Sequence, residues 1–291
     1  MTIWRLADGT LEFPPSLGAG IVNVTDNSFF PGARCGTPER AVADGLALVE
    51  SGFDLLDVGA VAARSGPPVP AADEAARLAP AVARLAAEAG VPVLADTFSP
   101  RVAALALDAG AAAINDIGGG EPEMLELIAE RGCGYVLMHI EGPPRVDREA
   151  PHYDDVVVHL REWFGDRLER AIGVGVDPEQ IALDPGLDFD LDTDDAVQIL
   201  GRLDELRPLG RPLFLALSRK DFLGAIAAGS WEGRLEPDER GPATLAATAL
   251  ATAAGAEVLR LHDAEALDAM RVASAIAGAS DAECERRSVI P

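Results

Sequence analysis

Short apolar runs recur along the chain at residues 20–24, 53–58, 91–95, 112–114, 134–138, 180–183, 212–217 and 257–261. Each run is predominantly apolar rather than alternating. That is the pattern of parallel strands buried on both faces. Amphipathic stretches lie between them, and Leu78, Val82, Leu85 and Ala89 keep helical spacing in the second. Thr37-Pro38-Glu39 and Ser99-Pro100-Arg101 read as helix starts, with a hydroxyl cap and proline at the first helical position. Gly52, Gly90, Gly110, Gly132 and Gly255 stand where helices should end.

Eight strand-then-helix units predict a (β/α)8 TIM barrel with a parallel eight-stranded core. No Gly-x-Gly-x-x-Gly motif follows a strand, which argues against an open dinucleotide-binding sheet. The expected division is an N-terminal extension over 1–18, the barrel over 19–277 and a loose tail over 278–291. The connections 25–36, 60–71 and 140–153 are long, and each follows a strand. They belong to the face where such barrels do chemistry. A further polar insertion spans 228–240.

Composition narrows the function. The 291 residues are 48% hydrophobic and 25% charged, enough for a real core. The net charge of −24 makes nucleic acid and anionic membrane poor partners. Cys35, Cys133 and Cys284 are far apart and lack metal spacing, which suggests a reducing compartment without a disulfide framework. With neither a basic-then-apolar leader nor a membrane-length apolar run, the expectation is a soluble cytoplasmic protein.

Two residue types are scarce. Lys220 is the single lysine, and Asn23, Asn27 and Asn115 are the only asparagines. Lys220, Asn23 and Asn115 all fall at the ends of predicted strands. Other polar residues gather there too: Asp57, Asp96, Asp116, His139, Asp184, Ser218, Arg219, Arg260 and His262. One such residue is an ordinary cap or turn former. Together, at one mouth, they suit a ligand rich in donors joined to an anionic group. His152 and His159 read as surface residues.

Gly20-Ile21-Val22-Asn23-Val24-Thr25-Asp26-Asn27-Ser28-Phe29 resembles the first-strand signature of dihydropteroate synthases. So do Ala95-Asp96-Thr97, Ile114-Asn115-Asp116, Leu137-Met138-His139, Asp184-Pro185-Gly186 and Ser218-Arg219-Lys220. Arg260-Leu261-His262-Asp263 completes the order at the last strand. The likeness spans roughly residues 19–277. It implies a (β/α)8 barrel, usually a homodimer. The implied reaction joins 6-hydroxymethyl-7,8-dihydropterin diphosphate to p-aminobenzoate, an aromatic amine, and releases diphosphate with Mg2+.

By the same resemblance Asp96, Asn115, Asp184, Phe189 and Lys220 match the pterin pocket. Arg64, Arg260 and His262 match the diphosphate contacts, and Asn23 the position beside the metal and the diphosphate. Asn23, Arg64, Lys220, Arg260 and His262 are the expected catalytic set. Buried polar recognition discriminates strongly, because a wrong ligand leaves groups unpaired. Cations and Mg2+ around the leaving group would stabilise its developing charge.

The departures concern the second substrate. Val61-Ala62-Ala63-Arg64-Ser65-Gly66 keeps the family's arginine and last glycine but loses a hydroxyl and a proline. The first loop has Pro31 where the family has an aspartate. Asp188 and Ala216 replace pocket glycines, and Leu191 a lysine. Asp221 follows Lys220 where serine is common, at a helix N-terminus that receives the p-aminobenzoate carboxylate. Coulomb's law at roughly 4 Å and a dielectric of about 20 puts such repulsion on the order of 4 kcal/mol. Two readings are therefore open: a working dihydropteroate synthase, or a diverged paralogue. The paralogue would keep the pterin and diphosphate site but take another nucleophile, or serve as a non-catalytic binding or partner protein.

Overall fold

The computed structural model describes residues 2–24, 37–62, 66–146, 148 and 151–288. Eight parallel strands form the core: β3 (Leu17–Asn23), β4 (Leu55–Gly59), β5 (Val93–Asp96), β6 (Ala113–Asp116), β7 (Gly134–Met138), β8 (Ile181–Asp184), β9 (Phe214–Leu215) and β10 (Val258–Leu261). Each pairs with its sequence neighbour from β3 to β8, and β10 lies between β9 and β3. A parallel bridge from Leu183 to Leu213 joins β8 to the start of β9 and closes the ring. The expected (β/α)8 barrel is present. Every predicted strand exists, although β9 is trimmed to two residues at its pairing with β10.

The helices form where their caps predict. Thr37 caps α1 (Pro38–Glu50) by accepting from the Arg40 N–H, and Ser99 caps α3 (Pro100–Asp108) by accepting from the Val102 N–H. In α2 (Ala71–Glu88), Leu78, Val82 and Leu85 are fully buried against the strands. The remaining helices are α4 (Pro122–Arg131), α5 (Val156–Gly173), α6 (Thr193–Gly201), α7 (Asp221–Ala228), α8 (Gly241–Ala253) and α9 (Ala264–Ser288). Helix α9 continues to Ser288, where a loose tail from 278 was expected. After Gly278 that segment has no further glycine or proline before the helix ends, so nothing local stops it.

The first 18 residues do more than precede the barrel. Strands β1 (Thr2–Arg5) and β2 (Thr10–Phe13) form an antiparallel hairpin. Trp4, Leu6 and Phe13 pack on Ala19, Leu55, Leu94, Ala113, Val136, Ala182, Phe214 and Val258, the inward side chains near the strand starts. Trp4 meets Phe214 edge to face at 6.3 Å, and its Nε1–H donates to the Gln180 carbonyl at 2.8 Å. The hairpin therefore seals the bottom of the barrel. Its strands are four residues each, too short for periodicity to reveal.

Candidate active site

Strand side chains alternate between faces. Two residues beyond the sealed apolar tier, the same inward face therefore carries a different set. Leu55 gives way to Asp57, Leu94 to Asp96, Ala113 to Asn115, Ala182 to Asp184 and Val258 to Arg260. Strand register levels Asn23 with Gly59, Gly59 with Asp96, and Asp96 with Asn115. The outward residues between them, such as Leu56, Val58, Ala95 and Ile114, pack under the helices. An apolar plug below and an apolar shell outside thus hold one polar tier at the top.

That tier is tightly connected. Arg260 donates through Nε to Asp57 Oδ2 and through Nη2 to Asp96 Oδ2, the latter at 2.8 Å. Asn115 Nδ2 donates to the same Asp57 oxygen at 3.0 Å. Burial opposes the charge of Arg260, but Asp57 and Asp96 outweigh it and hold its pKa above the ordinary value. Asp57 Oδ1 and Asn115 Oδ1 are buried acceptors without a hydrogen-bond partner. Such groups are costly unless a ligand or water meets them.

Two carboxylates beside them titrate high. Burial lifts Asp96 to about 7, against the pull of Arg260, and lifts Asp184 to about 6. Asp184 Oδ1 accepts from the Gly186 N–H at 2.8 Å. Gly186 has φ +74 and sits against the His139 carbonyl, so a Cβ there would collide with backbone. Lys220 Nζ donates to the Leu187 carbonyl at 2.8 Å and lies 4.5 Å from the centre of the Phe189 ring. His262 Nδ1 lies 2.9 Å from Ser218 Oγ. Burial first, and then Arg260, Arg219 and Lys220, push His262 down to about 3. It is a neutral hydrogen-bonding group, not a cation, at neutral pH.

Of these side chains, Asp96, Asn115, Asp184, Phe189, Ser218, Lys220, Arg260 and His262 line one cleft, together with Asn23, Asp188, Ala216 and Asp221; Asp57 does not. The structure brings together Asn23, Asp96, Asn115, Asp184, Lys220, Arg260 and His262, as the strand-end pattern predicts, with Phe189, which only the family resemblance pointed to. Arg64 lies outside the described residues, as do residues 25–36, which include Pro31. Asp116 does not join the site. Its carboxylate accepts from Gly118, Gly120 and the Tyr135 hydroxyl, which makes it the anchor of a turn. His139 is fully buried behind the cleft, beside His159, which is only half-buried rather than a plain surface residue.

Asp188 and Asp221 correct a simple electrostatic expectation. Asp221 is not an isolated charge, because Arg240 Nη1 lies 2.7 Å and Arg234 Nε 3.7 Å from its Oδ1. Its repulsion of an incoming carboxylate is therefore much weaker than the bare estimate. Asp188 takes the more important place. At φ +65 it occupies the left-handed region, which asparagine and aspartate tolerate better than most residues. Its carboxylate accepts from the Asp221 and Phe222 N–H groups at the start of α7. A built-in anion thus satisfies the helix N-terminus that faces the cleft.

Arg240 goes beyond the residues expected at the mouth, whereas Asp57, expected there as a strand-end residue, does not line the cleft but partners Arg260 and Asn115. An aspartate inside the apolar run Leu55-Leu56-Asp57-Val58 was the available signal for Asp57. Arg240 ends the polar insertion after α7 and is buried there. It donates to the carbonyls of Leu235 and Arg219, and only the folded loop places it in the cleft.

A family model described as pterin binding enzyme matches residues 19–262. The dihydropteroate synthase of Mycobacterium leprae is 40% identical over 278 residues, covering 91% of this chain and 95% of that one. The Escherichia coli K12 dihydropteroate synthase is 34% identical over 265 residues, covering 90% and 92%. Among solved structures, the Xanthomonas albilineans dihydropteroate synthase with 4-aminobenzoic acid matches at a TM-score of 0.84 and 38% identity, with both chains fully covered. The Yersinia pestis enzyme in a sulfonamide drug complex matches at 0.88 and 30% identity, covering 96% of this chain and all of that one. The chain belongs to the dihydropteroate synthase family of pterin-binding enzymes.

Proposed function

We propose that this chain condenses 6-hydroxymethyl-7,8-dihydropterin diphosphate with p-aminobenzoate and releases diphosphate. The observation that carries the reading is the buried polar tier with its two unpartnered acceptor oxygens, on Asp57 and Asn115. A flat heterocycle with donors along one edge fits such a tier. Asp96, Asn115, Asp184 and Lys220 would bind that edge, with Phe189 against its face. Carboxyl groups near 7 and 6 can accept or donate a proton at neutral pH, as a ring rich in nitrogen requires.

In the reaction, the bond from the methylene carbon to the diphosphate oxygen breaks, and its electron pair leaves with oxygen. The amine lone pair forms the new carbon–nitrogen bond, and the amine then loses a proton. Arg64, Arg260, His262 and Lys220 would face the leaving diphosphate, with His262 as a neutral donor. Asn23, half-buried at the end of β3, offers a hard amide oxygen of the kind Mg2+ accepts beside water and phosphate oxygens. Bound there, Mg2+ would offset charge on the leaving group.

Diphosphate release with Mg2+, measured with and without p-aminobenzoate, tests this reading. Release that requires p-aminobenzoate and yields dihydropteroate supports it. Absence of release, with no binding of the pterin diphosphate, removes it.

A second reading, favoured by Asp188 at the start of α7, keeps the pterin half and takes an amine without a carboxylate. Replacing Asp188→Gly together with Asp221→Ser should then improve p-aminobenzoate binding at least tenfold. An unchanged affinity would count against it. The homodimer and the cytoplasmic setting are part of the same proposal. Leu250, Val272 and Ile276 are largely exposed on the adjoining helices α8 and α9, a face suited to a second copy. Among the described residues, no helix is long and apolar enough to cross a membrane. Sedimentation at micromolar concentration should give the dimer mass.

A further inference from the structure

We propose that His139, Glu141 and His159 form a site for one divalent transition cation of the Zn2+ class, separate from the pterin cleft. His139 and Glu141 follow β7, and His159 lies in the first turn of α5. None of the three lines the cleft, although Met138, immediately before His139, does. Among the described residues, this is the one group of three or more His, Cys, Asp or Glu side chains whose ligand atoms converge in this way.

The geometry suits a tetrahedral ion. His139 Nε2 lies 3.2 Å from Glu141 Oε1 and 3.3 Å from His159 Nε2. His159 Nε2 lies 2.6 Å from the same carboxylate oxygen. Bonds of about 2.0–2.1 Å at tetrahedral angles set neighbouring ligand atoms roughly 3.3 Å apart. Two edges of the triangle already have that length. The third has the length of a hydrogen bond and would open by some tenths of an ångström. Three ligands leave a fourth position. Glu141 and His159 are each about 30% exposed, so the fourth position faces solvent and the ion has an entry path.

The surroundings hold the ligands in place. The His139 ring packs edge-on against Trp163 at 5.0 Å, and the His159 ring lies 4.6 Å from Tyr153. The His139 N–H donates to the Asp184 carbonyl, and the Glu141 N–H to Asp190 Oδ2. Two imidazoles with one carboxylate select Zn2+, Co2+ or Ni2+ over Mg2+, which prefers an all-oxygen shell. His139 Nδ1 is buried without a hydrogen-bond partner, so no second group orients the ring. Micromolar rather than nanomolar affinity is expected.

The test is a Co2+ titration of the chelator-treated protein, read by its visible ligand-field bands. One equivalent should give intense tetrahedral bands that Zn2+ abolishes. Glu141→Gln and His159→Asn should each weaken binding at least tenfold. Zn2+ should raise the Tm of the parent protein but not of either variant. Metal-free circular dichroism close to the parent's shows that the variants are folded. Absent bands would overturn the proposal. So would an unchanged midpoint in both folded variants, since binding would then belong to other groups on a chain of charge −24.

Discussion

The two ends of the barrel are built from the same strands and differ by a step of two residues. At the bottom, the inward side chains of β3 to β10 are apolar and close on Trp4 and Phe13. At the top they are Asp57, Asp96, Asn115, Asp184 and Arg260. The bottom is apolar and buried. The top leaves two buried oxygens without partners. Alternation along a strand puts both sets on one face, and depth alone separates packing from chemistry.

Substitutions at each end should separate these roles. The largest effect is expected from Asp96→Asn, which should lower diphosphate release at least a thousandfold. Loss of a buried charged contact to the ligand edge supports that size. The folded protein should persist, as thermal unfolding would show. Trp4→Ala at the other end should do the reverse. Removing a fully buried tryptophan costs about 3–5 kcal/mol, read by denaturant unfolding, while the turnover of the remaining folded protein stays near that of the parent. Equal losses of activity from both substitutions would erase the distinction between the ends.

Asp188→Gly comes next. It removes the carboxylate that occupies the α7 N-terminus, at a left-handed position where glycine is unstrained. The KM for p-aminobenzoate should fall by about tenfold, the scale of one helix-terminus charge in a partly buried setting. An unchanged KM would show that the substrate carboxylate binds elsewhere.

The smallest expected effect is a pH slope in stability. Asp96 and Asp184 hold protons more tightly folded than unfolded, with values of about 7 and 6 against 3.8. Their contribution is therefore full below about pH 4 and declines as pH rises through 6 and 7. Tm should fall by a few degrees across that window. Asp96→Asn should flatten the trend, and a slope unchanged in that variant would assign it to other groups.

Legibility followed local physics. The strands from 20–24 to 257–261 were readable because two-sided burial demands predominantly apolar runs. The caps at Thr37 and Ser99 were readable because the same hydroxyl-proline pair recurs. Asn23, Asp96, Asn115, Asp184, Lys220, Arg260 and His262 were readable because scarce or polar residues fell at strand ends. The hairpin was not, because four-residue strands carry too little pattern. Asp116 misled because a strand-end aspartate that anchors a turn looks, in one dimension, like one that faces a ligand.

The sequence by itself determined the barrel and most of the strand-end residues that reach its mouth, since these follow from periodicity and position along a strand. Only the tertiary structure decided their partners: Arg260 between Asp57 and Asp96, Arg240 on Asp221, Asp188 on α7, and His159 on Glu141. These contacts join residues 18 to 203 positions apart. A buried charge takes its energy from whatever lies within a few ångströms, and that neighbourhood exists only once the ring of strands has closed.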